Sequence, residues 1–311
     1  MTREFGWDDI ARDDQSVVTV GTFDGVHRGH KVIVDHLLER ADARGGPSTL
    51  VSFDPHPRSV VREQTVPLLT TVEERAAILE TLGLDRFVVI PFSTEFAQKP
   101  PEAYVEDVLV ECIGLQEITV GYDHRFGRKR AGDVDLLREC GERIGVAVDD
   151  IPPQKVDQDV VSSRHIRSLL AEEGRVERAA ELLGRPYELH GTVARGEGRG
   201  RQIGFPTANI ALDDPRKLVP KRGVYATLVT MPNGTTRGGM MNIGRRPTFD
   251  EMDVTAEVHV FDFEGDLYGD RLSVQFLQRL RDEQKFDSAD ALAMQLSEDE
   301  RHCRTIVEEL G

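Results

Sequence analysis

Between Ser16 and Gly145, short apolar runs alternate with stretches in which apolar residues recur every three or four positions. Ser16–Thr22 (SVVTVGT), Thr49–Phe53, Phe87–Phe92 (FVVIPF), Glu117–Tyr122 and Val146–Ile151 are β-branched or continuously apolar. They read as strands. Lys31–Arg44 places Ile33, Leu37 and Ala41 on one line, with Val34 and Leu38 beside it. Val72–Leu82, Pro101–Ile113 and Val134–Ile144 keep that helical spacing. Strands alternating with helices, and apolar throughout, predict a parallel α/β sheet covered on both faces. Ligands of such a sheet sit beyond the carboxyl ends of its strands.

Two short helices are expected next, Ser163–Glu173 and Val176–Leu183, the second stopped by Gly184 with Pro186 beyond it. The texture then changes. Tyr187–Arg195, Gly223–Thr230, Arg237–Ile243, Thr255–Phe263 and Leu272–Leu277 follow one another as strands without intervening helices. Asn233-Gly234 marks a hairpin between two of them. This pattern predicts a small antiparallel barrel or sandwich. A helical period from Ala289 to Leu310 closes the chain. The domain boundary is therefore placed between residues 184 and 185.

Length agrees with two domains: 311 residues exceed what one core usually holds. The net charge of −16, from 55 acidic and 39 basic residues, argues against a nucleic-acid partner and against an anionic membrane surface. Small phosphorylated ligands are still admitted, since a few local donors override a net charge. No apolar run is long enough to cross a bilayer, and Met1–Asp14 has no signal-peptide pattern. Cys112, Cys140 and Cys303 are far apart and form no disulfide or metal framework, so a cytoplasmic protein is expected.

The first candidate for chemistry is Gly21-Thr-Phe-Asp-Gly-Val-His-Arg-Gly-His30, between the first strand and the first helix. A turn there offers backbone N–H groups and the positive end of a helix dipole to an anion. His27 and His30 add donors three residues apart. Such a site suits attack on a nucleotide phosphate, which needs positioning and charge stabilisation rather than a covalent nucleophile.

His27-Arg-Gly-His30 resembles the H-x-G-H signature of nucleotidyltransferases. The longer string resembles the bacterial bifunctional riboflavin kinase / FAD synthetase family. Phe53-Asp-Pro-His-Pro57, Gly121-Tyr-Asp-His-Arg-Phe-Gly127 and Ser162-Ser-Arg-His-Ile-Arg167 are similar to further motifs of that family, in the same order. The resemblance implies an ATP site formed by Gly21, Phe23, Asp24, Gly25, His27, His30, Asp123, Ser162, Ser163 and Arg167. In it, His27 and His30 stabilise the phosphates of ATP, Asp123 positions metal or substrate, and Ser162, Ser163 and Arg167 hold the leaving pyrophosphate. Read from the residues alone, Ser162-Ser163 is equally a helix N-cap. His124 and Arg164 stand where the family usually has Phe and Thr.

The second candidate begins at Gly196-Glu-Gly-Arg-Gly200. No strand–loop–helix unit surrounds these glycines, so a flap over phosphates fits them better than a dinucleotide fold. Gly204-Phe-Pro-Thr-Ala-Asn209 is similar at every position to the riboflavin kinase motif. The resemblance implies Thr207 and Asn209 as ligands of Mg²⁺ and phosphate, and Gly198, Gly200, Gly204, Pro206 and Arg281 at the ATP and flavin site. It also makes Glu257 the catalytic carboxylate. On an alternating strand Glu257 shares a face with His259, Phe261 and Phe263. The implied function is phosphorylation of riboflavin by ATP to FMN, then adenylylation of FMN by a second ATP to FAD and pyrophosphate. The alternative is a kinase alone, its other half weakened by Arg164 and His124. A non-catalytic flavin-binding module is the third reading.

Overall fold

The computed structural model describes residues 1–122, 124–152, 155–156, 159–196, 200, 203–247 and 252–310. By its internal contacts the chain divides into two compact units, Met1–Ser163 and Arg164–Gly311.

The first unit is a six-stranded parallel sheet in the order β1-β4-β3-β2-β5-β6. The strands are β1 (Thr2–Phe5), β2 (Ser16–Val20), β3 (Ser48–Asp54), β4 (Arg86–Pro91), β5 (Leu115–Gly121) and β6 (Ala147–Ile151). Helix α1 (Arg28–Arg44) joins β2 to β3, and α2 (Pro57–Arg62) and α3 (Val72–Thr81) join β3 to β4. The segment Tyr104–Ile113, expected as an α-helix, is wound as a π-helix (α4) after a short start at Pro101–Ala103. Helix α5 (Val134–Ile144) lies between β5 and β6. Val18, Val51, Val88, Ile90 and Ile118 face one core layer, and Val17, Leu50, Phe87 and Val89 the other. Apolar side chains therefore leave both faces of each central strand, which explains the uninterrupted runs in the sequence.

The order of strands matters for function. The chain builds outward from β2 to β3 and β4, then returns to the other side of β2 for β5 and β6. The carboxyl ends of β2 and β5 thus flank the crevice where the strand order reverses, the usual ligand position in an open α/β sheet. Gly21–His30 follows β2, and the segment from Gly121 to Gly127 follows β5.

Several elements of this unit were absent from the expected ones, β1 and α2 among them. Strand β1 pairs with β4 at the sheet edge. Its inward side chain is Glu4, held by Arg86 in two parallel bonds of 3.1 and 3.0 Å. The period is real, but the residue that marks it is a carboxylate. Helix α2 buries no residue, so it leaves no apolar signature.

The second unit begins with α6 (Ser163–Ser168), a π-helical turn (Leu169–Glu173) and α7 (Val176–Leu183). Glu177 accepts the backbone N–H of Arg279 at 3.1 Å, and Leu170 O accepts that of Lys221 at 2.8 Å, so these helices pack on the barrel. Ahead of α6, Lys155–Val156 (β7) and Asp159–Val160 (β8) form a small antiparallel ribbon.

The barrel is closed, in the order β10-β13-β12-β11-β14-β9, with all neighbours antiparallel. Its strands are β9 (Tyr187–Ala194), β10 (Ala208–Leu212), β11 (Gly223–Thr230), β12 (Thr236–Pro247), β13 (Met252–Val260) and β14 (Arg271–Arg281). Tyr225, Met241, Val258 and Phe276 are fully buried inside it. Tyr225 meets Phe276 edge to face, with ring centroids 5.1 Å apart. Such a pair adds about 0.5–1.5 kcal/mol to its area burial. The expected Asn233-Gly234 hairpin closes β11 on β12, with Gly234 at φ +80°. The outer face of β11 and β12 is covered by α8 (Ala289–Leu310), whose Cys303 packs among Val224, Ala226, Met240 and Phe261.

Candidate functional site

In the first unit the turn after β2 is tightly wound. Phe23, Gly25 and Val26 take φ values of +46°, +87° and +38°. For Phe and the β-branched Val this conformation is strained, at a cost of about 1–3 kcal/mol each. Asp24 is fully buried. Its carboxylate accepts the backbone N–H groups of Leu69 and Thr70 at 3.1 and 2.9 Å, and the Thr70 hydroxyl at 3.2 Å. Asp24 therefore ties the turn to the segment before α3.

His27 is the N-cap of α1: its Nδ1 accepts the backbone N–H of His30 at 3.2 Å. An accepting Nδ1 places the neutral ring's proton on Nε2. The His27 and His30 rings stack with centroids 3.6 Å apart and planes 13° apart. Phe23 packs on His30 at 4.7 Å, and a Cβ on Gly21 would meet the Phe23 ring at 3.0 Å. The glycine at 21 thus permits the ring stack that backs the two histidines. Ser163 donates its hydroxyl to Asp24 O at 2.9 Å, which brings it to the same turn. Ser162 and Arg167 are half-buried, and Arg164 is exposed. Asp123 lies outside the described residues.

His124, after β5, stacks on Phe126 at 5.6 Å. Burial, and then the nearby charge of Arg130, push its pKa down to about 4. The ring is neutral at pH 7 and offers an aromatic surface where the family usually has Phe. It adjoins a set the sequence reading missed. Phe53, at the end of β3, and Phe92 and Phe96, beyond β4, meet pairwise at 5.4–6.0 Å. Trp7 packs on Phe96 at 5.6 Å, and Tyr104 links Phe96 to Phe126 at 6.0 and 5.8 Å. These residues come from five separate stretches of chain, and although Phe53 and Phe126 sit in motifs, no local pattern brings the set together.

In the second unit, β13 sets the register of the candidate kinase site. Glu257 is opposite Asn209 on β10 and Asn242 on β12. The Thr207 hydroxyl donates to Glu257 Oε2 at 3.2 Å. Ala256, Val258 and Val260 point into the barrel and are buried, so Glu257 and His259 lie on its outer face. His259 Nδ1 lies 2.8 Å from Pro206 O. A carbonyl only accepts, so this nitrogen carries the proton. Glu257 and His259 thus hold Thr207 and Pro206 from one strand.

Gly196 and Gly200 approach this cluster closely. A Cβ on Gly196 would lie 2.1 Å from Asn209 Nδ2, and one on Gly200 would lie 2.2 Å from Phe205 O. Gly204 turns the chain at φ +87°. Gly198 lies outside the described residues. Arg281 is bound to the α8 residue Asp299 by contacts of 2.6–3.0 Å, with Gln295 on the same carboxylate. Arg281 also donates to the backbone carbonyl of Asp282 at 3.0 Å, but its carboxylate partner is Asp299.

A family model described as FAD synthetase matches residues 9–165, and one described as riboflavin kinase matches residues 183–307. The chain is 37% identical over 309 residues to a bifunctional riboflavin kinase/FMN adenylyltransferase of Listeria monocytogenes, covering 98% of this chain and 95% of the relative. The Pseudomonas fluorescens protein of that name is 39% identical, with 93% and 92% coverage. The Escherichia coli K12 protein is 35% identical, with 94% and 93% coverage. A crystal structure described as a macrolide-efflux protein from Streptococcus pneumoniae matches with a TM-score of 0.87 and 31% identity, over 96% of each chain. Among the described residues, no helix of this chain is long and apolar enough to cross a membrane. With a tightly wound turn at the start of α1 on a parallel sheet, a Thr–Asn–Glu cluster on a closed barrel, and relatives that span nearly its whole length, the chain belongs to the bifunctional riboflavin kinase/FMN adenylyltransferase family.

Proposed function

We propose that the chain makes FMN at the Thr207–Asn209–Glu257 cluster and FAD at the turn Gly21–His30. Kinase chemistry transfers the γ-phosphoryl group of ATP to the 5′-hydroxyl of riboflavin. Glu257 orients that hydroxyl and accepts its proton. The donors around it are a hydroxyl, a side-chain amide and a carboxylate, a hard-oxygen set that fits Mg²⁺. Thr207 and Asn209 would hold the ion, which supplies charge neutralisation on the phosphates. Gly196 and Gly200, close against Asn209 and Phe205, leave room on the phosphate side that a side chain there would fill.

The observation that carries this reading is the Thr207–Glu257 bond with Asn209 directly opposite. Glu257→Gln keeps the size and removes the base. Turnover of riboflavin to FMN should fall about 10²–10⁴-fold, while FMN supplied directly is still converted to FAD. Chromatography of products from each substrate, with ATP and Mg²⁺, makes the test. Undiminished kinase turnover would refute the assignment.

In adenylylation the FMN phosphate attacks the α-phosphorus of ATP and pyrophosphate leaves. His27 and His30 donate to the phosphate oxygens, and the N-terminus of α1 adds its dipole. Asp24, at the ATP site by the resemblance, also ties the turn to the backbone at 69–70 through its carboxylate. The aromatic set around the ends of β3 and β4 supplies an apolar platform for the flavin ring. The functional division falls between residues 184 and 185, supported by the riboflavin kinase match that starts at 183. The three cysteines are free, two of them buried, which suits a reducing cytoplasm.

A further inference from the structure

Thr70 lies 45 positions from Gly25 in sequence, yet it is buried beneath the turn that carries His27 and His30. Its hydroxyl accepts the N–H of Gly25 at 2.9 Å and donates to Asp24 Oδ1 at 3.2 Å. Its own N–H donates to the same carboxylate oxygen at 2.9 Å. One residue thus grips the left-handed centre of the turn through both side chain and backbone.

A second strut stands beside it. Arg75, on α3, is a buried cation at 2% exposure. It donates to Ser52 Oγ at 2.7 Å and to Thr70 O at 3.4 Å. Ser52, on β3, in turn donates to Thr22 O at 3.2 Å. The turn is therefore fixed at residue 22 through Ser52 and at residues 24 and 25 through Thr70, and Arg75 joins the two fixings. The residues so fixed bracket Phe23 and precede Val26, the two side-chain-bearing residues of this turn with positive φ. Strain of this kind persists only where surroundings over-determine it.

We propose that Thr70, with the Arg75–Ser52 strut, is a positioning residue for adenylyl transfer. It holds the strained turn so that His27 and His30 stand where charge develops on the phosphate. The inference rests on the reading of Gly21–His30 as the adenylyl-transfer turn. Thr70 does not touch the nucleotide in this account. Its loss relaxes the turn, and misplacement by about 1 Å costs up to about 10²-fold in rate.

The test is the steady-state rate of FMN to FAD, with riboflavin phosphorylation on the same chain as the internal control. Thr70→Val keeps the shape and removes the hydroxyl. Its kcat for FAD formation should fall about 10–100-fold, with KM for FMN and ATP within about threefold. Thr70→Ser restores the hydroxyl and should recover most of the rate. Ser52→Ala cuts the other strut and should show the same split in a smaller degree. Kinase turnover should be unchanged in all three. A kcat unaltered in both Thr70→Val and Ser52→Ala overturns the proposal. So does a Thr70→Ser variant as slow as Thr70→Val, which would make the methyl packing decisive. His27→Asn, assayed alongside, separates the two claims. If it retains full adenylyl transfer, the reading of the turn fails whatever Thr70 does.

Discussion

His124 shows how one residue changes the meaning of a motif. A cationic histidine beyond β5 would differ from phenylalanine in charge and hydration. Here burial and Arg130 leave it neutral, stacked on Phe126. His124→Phe should therefore keep FAD formation within about threefold, with no added pH dependence between pH 6 and 8. The same shift has a stability consequence. The folded pKa of about 4 lies below the ordinary 6.5, so in that interval the unfolded chain binds the proton more readily. Stability should fall as pH drops from about 6.5 toward 4, and His124→Phe should flatten that slope in a denaturation series. The placement of single residues was legible where they sit in a motif, as with His27 at the start of α1 and Thr207 beside Glu257. It was illegible where tertiary contact assigns it. Thr70 carries no local mark of its bond to Gly25, and Arg281 finds Asp299 across 18 positions, in a helix whose docking the sequence does not state.

At the scale of elements, the helical and barrel-strand periods held because most inward positions are apolar. β1 escaped because its inward residue is Glu4, and β10 because it is five residues long and begins inside the Gly204–Asn209 motif. Barrel closure depends on a position the pattern also hides. Gly191 on β9 is paired with Leu212 on β10, and a Cβ there would come within 2.3 Å of Ala211 O. Gly191→Ala should overpack this seam and destabilise the barrel by about 1–3 kcal/mol. Kinase activity should be lost at a lower temperature, with adenylyl transfer holding to its original midpoint. Heating followed by separate assays of the two reactions would show it, and equal losses would contradict the placement of the seam.

For the whole molecule, the −16 charge sets the solution behaviour. Like charges on the folded surface repel, and salt shortens their reach from about 30 Å at 0.01 M to about 8 Å at 0.15 M. The melting temperature should rise across that range. Certain acids are held locally against this field. Burial pushes the Glu117 carboxyl up, but hydrogen bonds and charge from Arg40 and Arg44 outweigh it and leave the pKa below the ordinary range. That contribution is complete above the unfolded value near 4.5 and is lost as pH falls through the folded one. Glu117→Gln should cost about 2 kcal/mol at pH 7 and less at pH 3, measured by urea unfolding. The change of texture near Pro186 separates sheet from barrel strands, whereas the compact units divide between residues 163 and 164. The packing of residues 164–183 with the barrel was not legible, because the helical period says what is buried and not against which neighbour.

Glu257 and Val258 are adjacent in the chain but on opposite surfaces of β13. One surface carries the proposed kinase site and the other the hydrophobic interior, so β13 is written in two interleaved alphabets with a reading frame of two. A single inserted residue between Val254 and Ala256 would exchange them, driving a carboxylate into the interior and a valine toward the phosphates. An insertion of two keeps the frame. Natural length variation among relatives should therefore avoid odd steps within this strand and fall in the turns on either side.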